Sequence, residues 1–299
     1  MVSEDRKGVE EKAAEEKAVV EKEIEGKTEE KAFEEKKQTL LDLIEQDVRT
    51  DCVVAFSGGV DSSLLLKLAC LQAKKRGTVV YGVLICSELA PAGDQENAAS
   101  VAKEVGAEFA VLQIQELSQS SIAENRKDRC YVCKKYLFEN LLSFAKEHGT
   151  NTVLEGTNED DLHVYRPGIQ AIHELGIQSP LAQAGFTKKD VRQLAADYGL
   201  SVADRPSSPC MATRFPYGTH LTLSNLERVR QGEELLKQMG FYNIRLRVHD
   251  NLARIEVNEN DLGKAVQLRR ELIEGIKSLG YTYVTLDLEG FRSGSMDIR

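Results

Sequence analysis

Long apolar runs are missing from this chain. No uncharged stretch approaches the roughly 20 residues that cross a bilayer, which excludes a membrane-spanning helix. The N-terminus is charged from the start and lacks the apolar core of a secretory leader, so a cytoplasmic protein is expected. Positive charge is not in excess either. Lys and Arg number 39 against 48 Asp and Glu, a net charge of −9, so nucleic acid is not expected as a partner. Cysteine is too sparse for a disulfide scaffold, at six in 299 residues. The phosphate loop of kinases and GTPases, G-x-x-x-x-G-K-S/T, is absent from the glycine turn described next.

What is present organises around Ser57-Gly58-Gly59-Val60-Asp61-Ser62. An apolar run, Cys52 to Phe56, precedes it, and a leucine-rich helix pattern follows. Strand, glycine turn and helix start make a cradle for phosphate. Glycine lets backbone N–H groups approach an oxyanion, and the helix N-terminus adds partial positive charge. The loop resembles the pyrophosphate loop of ATP pyrophosphatases, which implies ATP cleaved between its α and β phosphates. Ser57, Gly58, Gly59, Asp61 and Ser62 would then hold the phosphates.

With 299 residues and 41% hydrophobic content, the chain holds about two domains. Residues 1–37 read as a charged helical or disordered extension, rich in Glu, Lys and Ala and with little apolar stripe. Residues 38–205 alternate strand and helix patterns, near 77–85, 98–105, 109–114, 134–147 and 152–155. The expected fold class is therefore α/β, a doubly wound parallel sheet with ligands at the carboxyl ends of its strands. Thr187 and Asp190 form a capping box, and a proline-rich bend at 205–209 marks the domain boundary. Residues 206–299 read as a smaller α+β domain: a helix capped by Ser224, strands near 243–248 and 253–257, a helix over 262–279 and a last strand at 281–288. Substrate binding and oligomerisation are assigned there, and a homo-oligomer is expected.

The fourth strand runs into Gly156-Thr157-Asn158-Glu159-Asp160-Asp161. A similar segment in the pyrophosphatases lies opposite the glycine loop, which implies that Asp160 or Asp161 helps hold Mg²⁺ or the nucleotide.

Cys130 and Cys133 form a C-x-x-C at a helix start, flanked by Arg129, Lys134 and Lys135, while Cys210 stands alone near Arg214. A redox dithiol lacks the expected preceding strand pattern, and a zinc site lacks a fourth ligand. Three thiolates suit a [4Fe–4S] cluster with one open iron, with three unrelated reduced thiols and zinc as the alternatives.

The second half carries the most specific motifs. Arg214-Phe215-Pro216-Tyr217-Gly218-Thr219, Arg245-Leu246-Arg247-Val248-His249-Asp250, Ala253-Arg254-Ile255-Glu256, and Val284-Thr285-Leu286-Asp287 with Gly290-Phe291-Arg292 resemble the LarE family from about residue 39 onward. That family makes the nickel-pincer nucleotide of lactate racemase. The resemblance implies adenylylation of a carboxylate of pyridinium-3,5-biscarboxylic acid mononucleotide, followed by sulfur attack to give a thiocarboxylate. It implies Arg166, Arg214, Arg245 and Arg247 as anion binders, with Glu256 orienting them. It also sorts the sulfur source. One kind of member sacrifices a single cysteine, at the position of Cys210; another binds a [4Fe–4S] cluster on three, fed by external sulfide or another sulfur donor. Cys130, Cys133 and Cys210 fit the second kind. A tRNA-thiolating enzyme, a C–N ligase of the NAD synthetase type, and a nucleotide sensor are the competing readings.

Overall fold

A computed structural model of the chain describes residues 28–90, 94–164, 166–203, 209–292 and 294–296. Most of the charged extension and most of the bend at 205–209 lie outside them. The first helix, α1, covers residues 28–47 and docks earlier than its Leu40–Ile44 stripe alone indicates. Phe33 is buried with its ring centroid 6.0 Å from that of Phe186, and Lys36 pairs with Asp190 at 2.9 Å. One aromatic among glutamates and lysines is too little to make a visible period.

The chain then alternates β1 Cys52–Ala55, α2 Val60–Arg76, β2 Val80–Ser87, α3 Asp94–Val105, β3 Glu108–Ile114, the short α4 Ser120–Ala123, α5 Arg129–Glu147 and β4 Val153–Leu154. These strands form a parallel sheet in the order β3-β2-β1-β4. Side chains alternate across it. Val54 joins Leu64, Leu68 and Phe186 on one face, and Val53 joins Phe138, Leu141 and Ile172 on the other. Both faces are covered by helices, which is why β1 reads as a continuous apolar run. From β1 the chain winds out to β3 on one side and returns to β4 on the other, so the crevice at the strand ends opens beside β1.

Four short helices follow: α6 Glu159–Leu162, α7 Gly168–Glu174, α8 Pro180–Gln183 and α9 Lys188–Asp197. The capping box on α9 is present, with Thr187 accepting from the Asp190 N–H and Asp190 returning to the Thr187 N–H. The last part comprises α10 Leu223–Gln238, β5 Ile244–His249, β6 Leu252–Val257, α11 Leu262–Gln267, α12 Arg269–Ser278 and β7 Tyr283–Leu286. Its sheet has the order β5-β6-β7, antiparallel then parallel. Two expectations change here. Thr222, not Ser224, caps α10 by accepting from the Asn225 N–H, and the helix over 262–279 is broken at Leu268.

The two sheets are stitched together beside α5. Leu89 and Ile122 enter the core that holds Met211, Phe215 and Leu221. The Met211 N–H donates to Leu89 O at 2.9 Å and the Leu221 N–H to Ala123 O at 2.7 Å. Buried Asn125, held at φ +50°, donates through Nδ2 to Pro216 O at 2.8 Å. The segment carrying Cys210 and Arg214 is thereby fixed against the entrance to α5. Among the described residues, no helix is long and apolar enough to cross a membrane.

Candidate active site

A cleft of about 350 Å³ opens between the exits of β1 and β4, lined by Ser57, Asp61, Ser62, Thr157, Asp161 and Arg166 among others. Gly58 adopts φ +71°, and a Cβ there would stand 2.7 Å from Asn97 Nδ2. Gly156 lets the β4 loop approach the glycine loop, since its Cβ would meet Ser62 N at 3.0 Å. No side chain caps α2, whose N-cap is Gly59, and an uncapped first turn suits a bound anion. The Ser57 and Ser62 hydroxyls lie 3.1 Å apart, and Ser62 also donates to Gly59 O at 3.2 Å.

Asp61 sits between Asn158, whose Nδ2 donates to it at 3.0 Å, and an ion pair with Lys188. Asn158 in turn caps α6. Asp161 lines the cleft and pairs with Arg166 at 2.9 Å, whereas Asp160 Oδ2 accepts the Lys188 backbone N–H at 2.7 Å. Of the two candidate carboxylates, Asp161 therefore faces the cleft. Lys188 carries no mark in the sequence beyond its position between Thr187 and Asp190.

Lys134 and Glu155 also line the cleft, with Nζ 3.3 Å from Oε2. Glu155 is buried yet its carboxyl lies below the usual range. Lys134 and donors from Ser179 and Thr157 together outweigh burial, the largest single influence, which opposes them.

Cys130 and Cys133 occupy the first turn of α5, and Cys210 opens the 3₁₀ turn Met211–Arg214. All are free thiols; Cys130 and Cys210 are exposed, Cys133 half-buried. The three share one electrostatic neighbourhood. Ionisation of Cys133 is opposed first by burial and then by Glu116, Cys210 and Cys130. The protein around its sulfur pushes Cys210 up to about 11 although the residue as a whole is exposed. The Ala212 N–H and Arg129 ease its ionisation, while Glu116 and Cys130 oppose it. Cys133 Sγ donates to Glu116 Oε1 at 2.7 Å. Glu116 is 1% exposed and its carboxyl is raised chiefly by burial. Neither composition nor spacing singles out Glu116, because it lies in a turn after β3. Among the described residues, no three His, Cys, Asp or Glu side chains stand close enough to hold a metal ion.

The arginines of the second sheet are mostly committed internally. Arg214 makes a fork with Glu233, Nε to Oε1 at 2.9 Å and Nη2 to Oε2 at 3.1 Å, and its Nη1 donates to Pro209 O at 2.8 Å. Arg247 donates to Glu256 and to Thr213 O. Glu256, fully buried, also accepts from Arg254 and Ser295. Arg245 has no carboxylate ion pair among the described residues and lies over the Phe291 ring at 4.9 Å. Burial, then the charge of Arg214, lowers it to about 10, with Glu233 and Glu256 acting the other way.

Residues 32–146 match the NAD synthase family model. A pyridinium-3,5-bisthiocarboxylic acid mononucleotide synthase of Lactiplantibacillus plantarum is 39% identical over 262 residues, covering 88% of this chain and 94% of that protein. The chain belongs to this synthase family. An uncharacterized protein of Synechocystis is 38% identical over 82% of the chain and 91% of its own length. A tRNA-specific 2-thiouridylase of Rickettsia prowazekii is 27% identical over only 58% of the chain. The synthase match covers 88% of the chain, against 58% for the thiouridylase match.

Proposed function

We propose that this chain is an ATP-dependent sulfur transferase. It converts a carboxylate of pyridinium-3,5-biscarboxylic acid mononucleotide to a thiocarboxylate, with ATP bound in the cleft beside β1. One observation carries the reading beyond family membership. Cys130 and Lys134 are i and i+4 on α5, so the sulfur residues stand one helical turn from a side chain that lines the cleft.

The chemistry follows from that layout. A substrate carboxylate oxygen attacks the α-phosphorus of ATP, and the bond to pyrophosphate breaks. The glycine loop and the α2 N-terminus receive the departing pyrophosphate. The acyl adenylate is then a good electrophile: sulfur adds to its carbonyl, the acyl–oxygen bond breaks and AMP leaves. Asp61 and Asp161, the two aspartates that line the cleft, would hold Mg²⁺, which takes only one or two protein carboxylates in nucleotide sites. Arg245 offers a cation for the substrate's phosphate or second carboxylate, with Arg214 and Arg247 setting the surrounding field.

The cysteine set fits a [4Fe–4S] cluster better than a single ion. Three reduced thiols lie within electrostatic reach of one another, and three cysteines are the number that leaves one iron of such a cluster open. Cys130, Cys133 and Cys210 would hold it, and when bound it supplies an open iron able to carry sulfide. Arg129, buried and stacked 4.1 Å over Tyr217, contributes positive charge beside the thiols.

ATP–pyrophosphate exchange tests the reading. Exchange should depend on the mononucleotide dicarboxylate. Exchange stimulated by tRNA, or by an acid that accepts an amine, would overturn it.

A further inference from the structure

Lys134 belongs to two neighbourhoods at once. Along α5 it follows Cys133 and shares a helix face with Cys130, about 6 Å away along the axis. In space it lines the nucleotide cleft opposite Ser57 and Ser62, because α5 covers the face of the sheet that α2 does not. Its stem is held. Gly168 of α7 packs so closely that an added Cβ would lie 3.4 Å from Lys134 Cβ and Cδ. The ammonium stands 5.2 Å from the centre of the Phe138 ring.

Its head sits farther from its carboxylate partner than the heads of Lys188 and Arg166 do from theirs. Lys188 is tied to Asp61, and Arg166 to Asp161 at 2.9 Å. Lys134 meets Glu155 at 3.3 Å with 32% of its side chain exposed. Glu155 also holds two other donors on its other oxygen, the Ser179 hydroxyl and the Thr157 N–H at 3.0 Å, while Lys134 gives the largest single aid to its ionisation. An oxyanion entering the cleft can share the ammonium with Glu155 Oε2, while Oε1 keeps its two other donors.

We infer that Lys134 binds the phosphoryl group that stays with the nucleoside: the α-phosphate of ATP and then the phosphate of the acyl adenylate. This rests on the cleft being the ATP site. The α2 side of the cleft suits pyrophosphate. The α-phosphate must lie between that group and the carboxyl carbon that sulfur attacks, which is the side from which α5 projects Lys134. Because Cys130 shares its helix face, a nucleotide phosphate on Lys134 also shields that thiol.

The test uses the full chain, metal-free and reduced, as wild type, Lys134→Met, Lys134→Arg and Glu155→Gln. Calorimetry with AMP should show about tenfold weaker binding for Lys134→Met, with most of the loss recovered by Lys134→Arg. Pyrophosphate affinity should stay within about twofold in both, as expected for a group on the far wall. Glu155→Gln should hold or strengthen AMP binding. As a second readout, AMP should slow iodoacetamide labelling at Cys130 in wild type but not in Lys134→Met. Unchanged AMP affinity in Lys134→Met, or an equal loss for pyrophosphate, would overturn the inference. Wild-type protein that binds neither ATP nor AMP would overturn the ATP site itself.

Discussion

The thiol of Cys133 donates to Glu116 Oε1 at 2.7 Å, and both groups hold their protons more tightly than usual. Burial is the first cause for each; Glu116 then opposes ionisation of Cys133, whereas the hydrogen bond from Cys133 eases that of Glu116. In metal-free protein at pH 7.5, Cys133 should therefore alkylate at least about tenfold more slowly than exposed Cys130, since only the thiolate reacts. Glu116→Gln removes the opposing charge and should speed Cys133 labelling. Site-resolved mass mapping reads both outcomes, and equal rates at the two positions would contradict this account of the thiol.

Asp61 is held by Asn158 and Lys188 at the mouth of the glycine loop. Asp61→Asn keeps the hydrogen-bonding shape but loses the charge that would meet Mg²⁺. Pyrophosphate exchange should fall by about 10²-fold, in the range seen for removing one preorganised electrostatic group. A thermal melt close to that of wild type should accompany the loss.

Arg214 and Glu233 form a buried fork. Arg214→Ala strands the Glu233 carboxylate, and breaking a buried pair on one side costs about 3–5 kcal/mol. The double variant Arg214→Ala/Glu233→Ala should be more stable than the sum of the singles implies. Denaturant unfolding of the four proteins measures this directly. Reduced activity in Arg214→Ala thus has to be read against its stability.

Asp47, near the end of α1, has its carboxyl raised by burial to about 6. The folded state then binds its proton more tightly than the unfolded chain. Its contribution to stability is present below the ordinary carboxylate value and is lost as pH rises toward 6. Asp47→Asn should leave stability near pH 4 almost unchanged and raise it at pH 7 by about 1 kcal/mol, allowing for partial solvent screening. Melting temperatures across that range should diverge and then run parallel.

Much of this was legible before any coordinates. The strand–glycine–helix run at 52–66 places the phosphate cradle, and the alternation that follows it places the parallel sheet. The capping box at Thr187 and Asp190 is strictly local, and such bonds read well from sequence. Glu116, Glu155 and Lys188 did not stand out, because each acts through a partner at least 17 residues away. The pairing of Arg214 with Glu233 was hidden for the same reason, and it turns an expected anion binder into half of a buried ion pair. Asp160 and Asp161 are neighbours in sequence, and only the turn of α6 decides which of them faces the cleft.

The most direct measurement is intact-protein mass after repeated turnover with MgATP, the mononucleotide dicarboxylate and sulfide, using anaerobically reconstituted protein. A sulfur centre shared by Cys130, Cys133 and Cys210 predicts several thiocarboxylates per chain, AMP and pyrophosphate in step, and an unchanged polypeptide mass. One product per chain, with loss of the sulfur mass at Cys210, would contradict it.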